Sequence, residues 1–199
     1  MKTNVGVRSL SKGFATIALA AATILPAAVS AGSTCADIDK FYWIDERIAT
    51  GGQPKPGELA ALKKEGFRTI INLREPSEYD SAAEAAEARR LGLGYVSIPV
   101  RTADPKDEQV DAFLAAMKDP KIWPAFVHCG SGNRVAAFWL IHRVVVDGWE
   151  LGNAEQEARF VGLKSATLRE FAYEYICRHS KGEPRPVPVP CANRSAGSN

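Results

Sequence analysis

Residues 127–134 of the chain read Val-His-Cys-Gly-Ser-Gly-Asn-Arg, and an apolar segment follows them. The preceding run at 125–128 has the composition of a buried strand, and a helix is predicted at 134–147. Gly130 and Gly132 allow a tight turn in which successive backbone N–H groups point inward. This stretch therefore predicts an anion-binding loop between a strand and a helix N-terminus.

The segments around this loop alternate between strand and helix patterns. Strands are predicted at 42–44, 47–50, 67–73, 95–98 and 125–128, and helices at 56–65, 80–91, from about 105 onward, 134–147, 150–161 and 167–178. This alternation indicates an α/β fold with a mostly parallel central sheet flanked by helices on both faces. We expect one folded domain at 41–178, preceded by an N-terminal extension at 32–40.

Polar residues follow three of the predicted strands. Arg74 follows the strand at 67–73, Arg101 and Asp104 follow the strand at 95–98, and Cys129 follows the strand at 125–128. Because ligands bind at the carboxyl ends of parallel strands, we expect these side chains to meet at one rim of the sheet.

Cys129 and Arg134 have the chemistry of a nucleophile and an anion clamp. The positive end of the following helix favours the thiolate form of Cys129. The Arg134 guanidinium can bind two oxygens of a tetrahedral anion. A buried structural cysteine is the alternative interpretation of Cys129 alone. His128 is either a packed histidine or a support for the loop, and Ser131 is either a donor or a small loop residue.

This loop resembles the signature of the cysteine-dependent protein tyrosine and dual-specificity phosphatases. The likeness extends upstream to Gly-Gly-Gln-Pro at 51–54 and Thr-Ile-Ile-Asn-Leu-Arg at 69–74. These segments are similar to the bacterial phosphatase-like group related to the beta-lactamase-hydrolase-like domain. The resemblance covers 41–178.

The resemblance implies a phosphomonoester hydrolase that acts on a phosphoprotein or a small phosphorylated molecule. Cys129 would form a cysteinyl-phosphate, Arg134 would clamp the phosphate, and no metal or other cofactor would be needed. The loop residues between them would cradle the phosphate: Gly130, Ser131, Gly132 and Asn133. Arg74 and Arg101 would add positive potential for the substrate or serve only as solvated rim charges.

Two features depart from the phosphatase pattern. Four residues separate Cys129 from Arg134, where that signature has five, and Val135 stands where Ser or Thr is common. A four-residue loop resembles the persulfide-carrying loop of rhodanese sulfurtransferases, which is one alternative function. A non-catalytic module that binds phosphate or another anion is the second.

A general acid is expected upstream of the cysteine, to protonate the leaving oxygen. Asp104 lies on a loop of the right kind, and Asp107 is the fallback. Asp104-Pro105 also fits a helix N-cap followed by proline at the first helical position.

The N-terminus is predicted to be a secretory signal peptide at 1–31. It combines Lys2, Arg8 and Lys12 with an apolar run and a small-residue cleavage site ending at Ala31. Its removal lowers the net charge from +2 to −1, because 22 basic and 23 acidic residues remain. The net charge of +2 for the whole chain already argues against a nucleic-acid partner, because such proteins usually have a clear basic surplus. We expect an exported protein, periplasmic or secreted, without stable membrane insertion after cleavage.

The other cysteines and the C-terminal segment fit an exported protein. We expect a disulfide among Cys35, Cys177 and Cys191, with the pairing open. Residues 179–199 are rich in Pro, Gly and Ser and are predicted to be an irregular tail.

Overall fold

The computed structural model describes residues 37–179. Five strands within this range form one sheet: β1 (Tyr42–Trp43), β2 (Ile48–Gly51), β3 (Thr69–Asn72), β4 (Gly94–Ser97) and β5 (Ala125–His128). Their order across the sheet is β1-β2-β5-β3-β4. The pairs among β2, β5, β3 and β4 are parallel, and β1 adds an antiparallel edge. The carboxyl ends of four strands therefore lie along one edge of the sheet.

In the part of the chain that the structure describes, six α-helices cover this sheet: α1 (Glu58–Lys64), α2 (Ser81–Arg90), α3 (Asp107–Met117), α4 (Asn133–Val145), α5 (Leu151–Val161) and α6 (Ala166–His179). Alternate strand residues face opposite sides, so Ile70 packs in the core beneath α1 and α2, whereas Ile71 packs against α3 to α6. The predicted α/β fold, with a mostly parallel sheet and helices on both faces, is confirmed.

Helix α4 occupies the centre of the larger core. Every residue from Arg134 to Ile141 is buried, and both α5 and α6 pack against this helix. A helix that is apolar around most of its circumference is stable only when it is surrounded in this way. The central helix predicted at 134–147 is therefore present, and its first turn emerges from the loop that contains Cys129.

The interpretation of Asp104-Pro105 as a helix start is wrong. Helix α3 begins at Asp107, with Lys106 as its N-cap residue. The Gln109 side chain fixes this start, because its Oε1 accepts from the Lys106 backbone N at 2.9 Å and its Nε2 donates to the Pro99 carbonyl at 2.6 Å. Asp104 is thereby left on the preceding loop.

The predicted signal peptide, most of the N-terminal extension and nearly all of the predicted tail lie outside the described residues. Within 37–179, none of the helices has the length and apolar character needed to cross a membrane.

Candidate active site

The Cys129 loop connects the carboxyl end of β5 to the N-terminus of α4. Cys129 is a free thiol with 1% of its surface exposed, and its backbone N lies 3.4 Å from the Gly51 carbonyl oxygen. Gly132 is the N-cap residue of α4 and has φ 81°, a left-handed conformation that suits glycine. The thiol is therefore at the floor of a loop that faces the positive end of a buried helix.

Three contacts fix the backbone of this loop from outside. Gly52 forms an isolated antiparallel bridge with Ser131, and Lys40 Nζ donates to the Ser131 carbonyl at 2.7 Å. The Asn133 side chain accepts hydrogen bonds from the backbone N atoms of Lys164 and Ser165, at 3.0 and 3.2 Å. The Asn133 side-chain oxygen thus fixes the loop to the α5–α6 connection.

Arg134 is buried and is held by a carboxylate that the sequence analysis did not select. Its Nη1 and Nη2 donate to the two Glu78 carboxylate oxygens at 2.5 and 2.7 Å, and Nη1 also donates to the Val100 carbonyl at 2.9 Å. Burial alone would lower the pKa of Arg134, but Glu78 and Cys129 outweigh it and raise the pKa. The guanidinium is therefore a fixed positive charge beside the thiol.

Glu78 could have been found by the rule that selected Arg74, because it follows the same strand end by a few residues. Its hydrogen bond with Arg134 is the largest cause of a lowered pKa for this carboxyl, against the opposing effect of burial. The carboxylate is therefore ionised at neutral pH and forms a bidentate pair with the clamp arginine.

Arg74 lies on the same side of the loop as Arg134. A Cβ atom built on Gly130 would lie 3.5 Å from Arg134 Nη2 and 3.9 Å from Arg74 Nε. The Arg74 guanidinium also stacks on the Tyr79 ring, 4.9 Å from its centroid. The two guanidinium groups therefore approach Gly130, the residue after Cys129, from the same side.

Arg101 and Asp104 lie on the rim and pair with neighbouring charges. The Arg101 side chain is 67% exposed and its Nε lies 3.3 Å from Glu75 Oε1. The Asp104 side chain is 60% exposed and its Oδ1 lies 2.6 Å from Lys106 Nζ. Their predicted roles, in substrate binding and acid catalysis, stay predictions.

His128 is fully buried behind the loop and faces α2. Its Nε2 lies 3.4 Å from Glu84 Oε2, and its ring stacks on Phe126 with centroids 5.8 Å apart. Among residues 37–179, no group of three or more His, Cys, Asp and Glu side chains is arranged to hold a metal ion. Cys35 and Cys191 lie outside this range, so the predicted disulfide stays a prediction.

An open cleft of about 800 Å³ adjoins Glu78. Its lining includes two aromatic rings, Tyr79 and Tyr95, and the small side chains of Ser77 and Ser97. The lining does not include residues 129–134, so this cleft adjoins the site through Glu78.

A strand, a buried cysteine, a glycine-containing loop and a helix-borne arginine define the protein tyrosine phosphatase class of sites. The family model described as "DSP-PTPase phosphatase fused to NAD+ Kinase" matches residues 30–170. The chain belongs to this family. It has the phosphatase-like fold of that class, as the sequence resemblance predicted.

Known proteins show the same likeness. A beta-lactamase hydrolase-like protein of Xylella fastidiosa (strain Temecula1) is 36% identical over 110 residues, which are 53% of this chain and 25% of that protein. The chain therefore matches only a quarter of that relative's length. A putative phosphatase (DUF442) from Shewanella putrefaciens CN-32 has 24% identity and a TM-score of 0.63, over 73% of this chain and 97% of that chain. P. aeruginosa TpbA in complex with pTyr has 19% identity and a TM-score of 0.55, over 69% and 82%.

Proposed function

We propose that this protein is an exported cysteine-dependent phosphatase that hydrolyses a phosphomonoester. The observation that carries the proposal is the buried Cys129 thiol, at the start of a loop that ends in a buried guanidinium beside it. The phosphatase family and the phosphatase-like structural neighbours support this interpretation. The phosphotyrosine complex of TpbA makes an aryl phosphate a reasonable first substrate.

The proposed reaction has two displacement steps. The Cys129 thiolate attacks phosphorus, the ester P–O bond breaks, and the leaving oxygen takes up a proton. Water then attacks the cysteinyl-phosphate, which releases inorganic phosphate and regenerates the thiolate. The loop N–H groups and Arg134 stabilise the charge that develops on the phosphoryl oxygens in both steps.

The four-residue loop keeps a sulfurtransferase as the second candidate function. A shorter loop directs fewer N–H groups inward, and a Cys129 persulfide would place a single sulfur atom in the cradle where a phosphoryl group places three oxygen atoms. The two candidates share the cysteine but require different substrates.

Parallel assays test this proposal. We expect the mature chain to hydrolyse p-nitrophenyl phosphate and Cys129→Ser to lose that activity, because serine is a far weaker nucleophile. Thiocyanate formation from thiosulfate and cyanide, without phosphate release, would replace the proposal with the sulfurtransferase. Phosphate binding without either turnover would support a non-catalytic module.

We also propose Asp104 as the general acid. Asp104→Asn is expected to slow hydrolysis of alkyl phosphates, which have poor leaving groups, and to spare p-nitrophenyl phosphate. If Asp104→Asn hydrolyses alkyl phosphates and p-nitrophenyl phosphate as fast as the unmodified chain does, Asp104 is not the general acid.

A further inference from the structure

Gln53 connects the buried carboxylate of Glu84 to the partly buried guanidinium of Arg74. Its Nε2 donates to Glu84 Oε1 at 2.7 Å, and its Oε1 accepts from Arg74 Nη1 at 3.0 Å. Because an amide has one donor end and one acceptor end, these two partners fix its orientation. Gln53 belongs to the Gly-Gly-Gln-Pro segment, to which the proposed reaction assigns no role.

The carboxylate end of this bridge is deeply buried. Glu84 is 4% exposed, accepts from the Tyr95 hydroxyl at 2.7 Å and lies 3.4 Å from His128 Nε2. Burial alone would raise the pKa of Glu84, but its contact with His128 and the hydrogen bonds from Tyr95 and Gln53 outweigh burial and lower the pKa. A carboxylate in such a place is costly unless each oxygen has a donor, and Gln53 supplies the donor for Oε1.

Arg74, the guanidinium partner of Gln53, contacts residues of the anion site. Arg74 Nη2 donates to the Glu78 backbone carbonyl at 2.7 Å, and the Glu78 carboxylate forms the bidentate pair with Arg134. Direct contacts therefore form a chain of five residues, in this order: Glu84, Gln53, Arg74, Glu78 and Arg134. Both guanidinium groups lie on the Gly130 side of the loop.

We propose that Gln53 is a positioning residue for the anion site, acting through Arg74 and Glu78 on Arg134. Neither glutamate nor methionine at position 53 preserves the contacts with both Arg74 and Glu84. Glutamate at this position would repel Glu84, and methionine would leave both Arg74 Nη1 and Glu84 Oε1 without their partner. The inference rests on the proposed function only in taking the Cys129 loop as a phosphate site.

The test compares inorganic phosphate binding by the full mature chain and its variants, by calorimetry. We expect Gln53→Glu and Gln53→Met to weaken phosphate binding by about tenfold or more, the factor that corresponds to loss of one buried charged hydrogen bond. The double variant Gln53→Glu/Glu84→Gln exchanges the amide and the carboxylate. It restores a donor toward position 53 and an acceptor toward Arg74, so it is expected to recover most of the affinity.

Glu157→Gln is the matched control. Glu157 forms a similarly buried bidentate pair with Arg143, at 2.7 and 2.8 Å. Arg143 lies nine residues beyond Arg134 along α4, about 14 Å away at the helical rise. Loss of the Glu157–Arg143 pair in Glu157→Gln is expected to lower thermal stability and leave phosphate affinity unchanged. This control separates an effect on positioning from a general loss of stability.

Folded Gln53→Glu and Gln53→Met variants that bind phosphate within twofold of the unmodified chain would overturn the inference, as would an unmodified chain that does not bind phosphate. If Gln53→Glu does not fold, Gln53→Met and the double variant give the same comparison. An unmodified chain that binds phosphate but shows no turnover refutes the phosphatase proposal while the Gln53 comparison still stands.

Discussion

Arg134 is the residue whose position depends most on partners distant in the chain. Its guanidinium is oriented by Glu78, 56 residues upstream, and by the Val100 carbonyl, 34 residues upstream. The loop spacing alone predicts Cys129 and Arg134, because both lie within one short segment. The same spacing contains no information on Glu78, because its approach depends on how β3 and β5 pair.

The Glu78–Arg134 pair makes stability depend on pH. The pKa of Glu78 is lowered in the folded chain, so its contribution is present above the ordinary value of 4.5 and is lost as the pH falls through the lowered value. We expect Glu78→Gln to lower the free energy of unfolding at pH 7 and to differ less from the unmodified chain at lower pH. Urea unfolding of the variant and the unmodified chain, at pH 7 and at a pH below the lowered pKa of Glu78, measures this difference in stability.

Glu87→Gln is the control for this prediction, because Glu87 pairs with Arg90 on the exposed face of α2. Its removal is expected to have little effect at either pH. A Glu78→Gln variant whose loss of stability is equal at both pH values would show that the ion pair is not the cause.

At the scale of elements, the order of strands and helices follows from the sequence more closely than their ends do. Alternating apolar segments predict β2, β3, β5 and α4 because burial on both faces leaves few polar residues in them. The start of α3 was missed because the Gln109 side chain, rather than Asp104, satisfies the first turn. Such a cap depends on side-chain contacts that a local pattern does not contain.

The junction between β5 and α4 is tested by Gly132→Ala. A Cβ atom there would lie 3.0 Å from the Val161 carbonyl oxygen, in a residue with φ 81°. We expect a loss of about 2 kcal/mol or more, from backbone strain and this close contact together. Chemical denaturation measures the loss, and phosphate affinity is expected to fall because the cradle moves.

Gly148→Ala is the matched comparison, since Gly148 has φ 71° but has space around the added methyl group. Its expected loss is about 1 kcal/mol, from backbone strain alone, with phosphate affinity unchanged. Equal losses in both variants would mean that the Val161 contact does not restrict the loop.

At the scale of the whole molecule, the fold brings α2 against the back of the anion loop. Glu84 lies in a segment rich in Ala, Glu and Arg, which reads as a solvated helix, yet it is 4% exposed. Its burial follows from the sheet register, in which Tyr95 and His128 face the same side. That arrangement depends on three separate elements, so the sequence alone could not predict it.

Export is a prediction that belongs to this scale. The composition of residues 1–31 predicts cleavage after Ala31, so the exported protein is expected to begin at Gly32. N-terminal sequencing of the protein recovered from the periplasm or medium measures this. Recovery there of a chain that still begins at Met1 would contradict the signal peptide.

The central claim is that Cys129 carries the phosphoryl group during turnover. The most direct measurement is acid quenching of the mature chain during hydrolysis of p-nitrophenyl phosphate, followed by peptide mass mapping. We predict one added phosphoryl group on the peptide that contains Cys129, and its absence in Cys129→Ser. Rapid phosphate release with no phosphorylated peptide, or with unchanged turnover by Cys129→Ser, would contradict the claim.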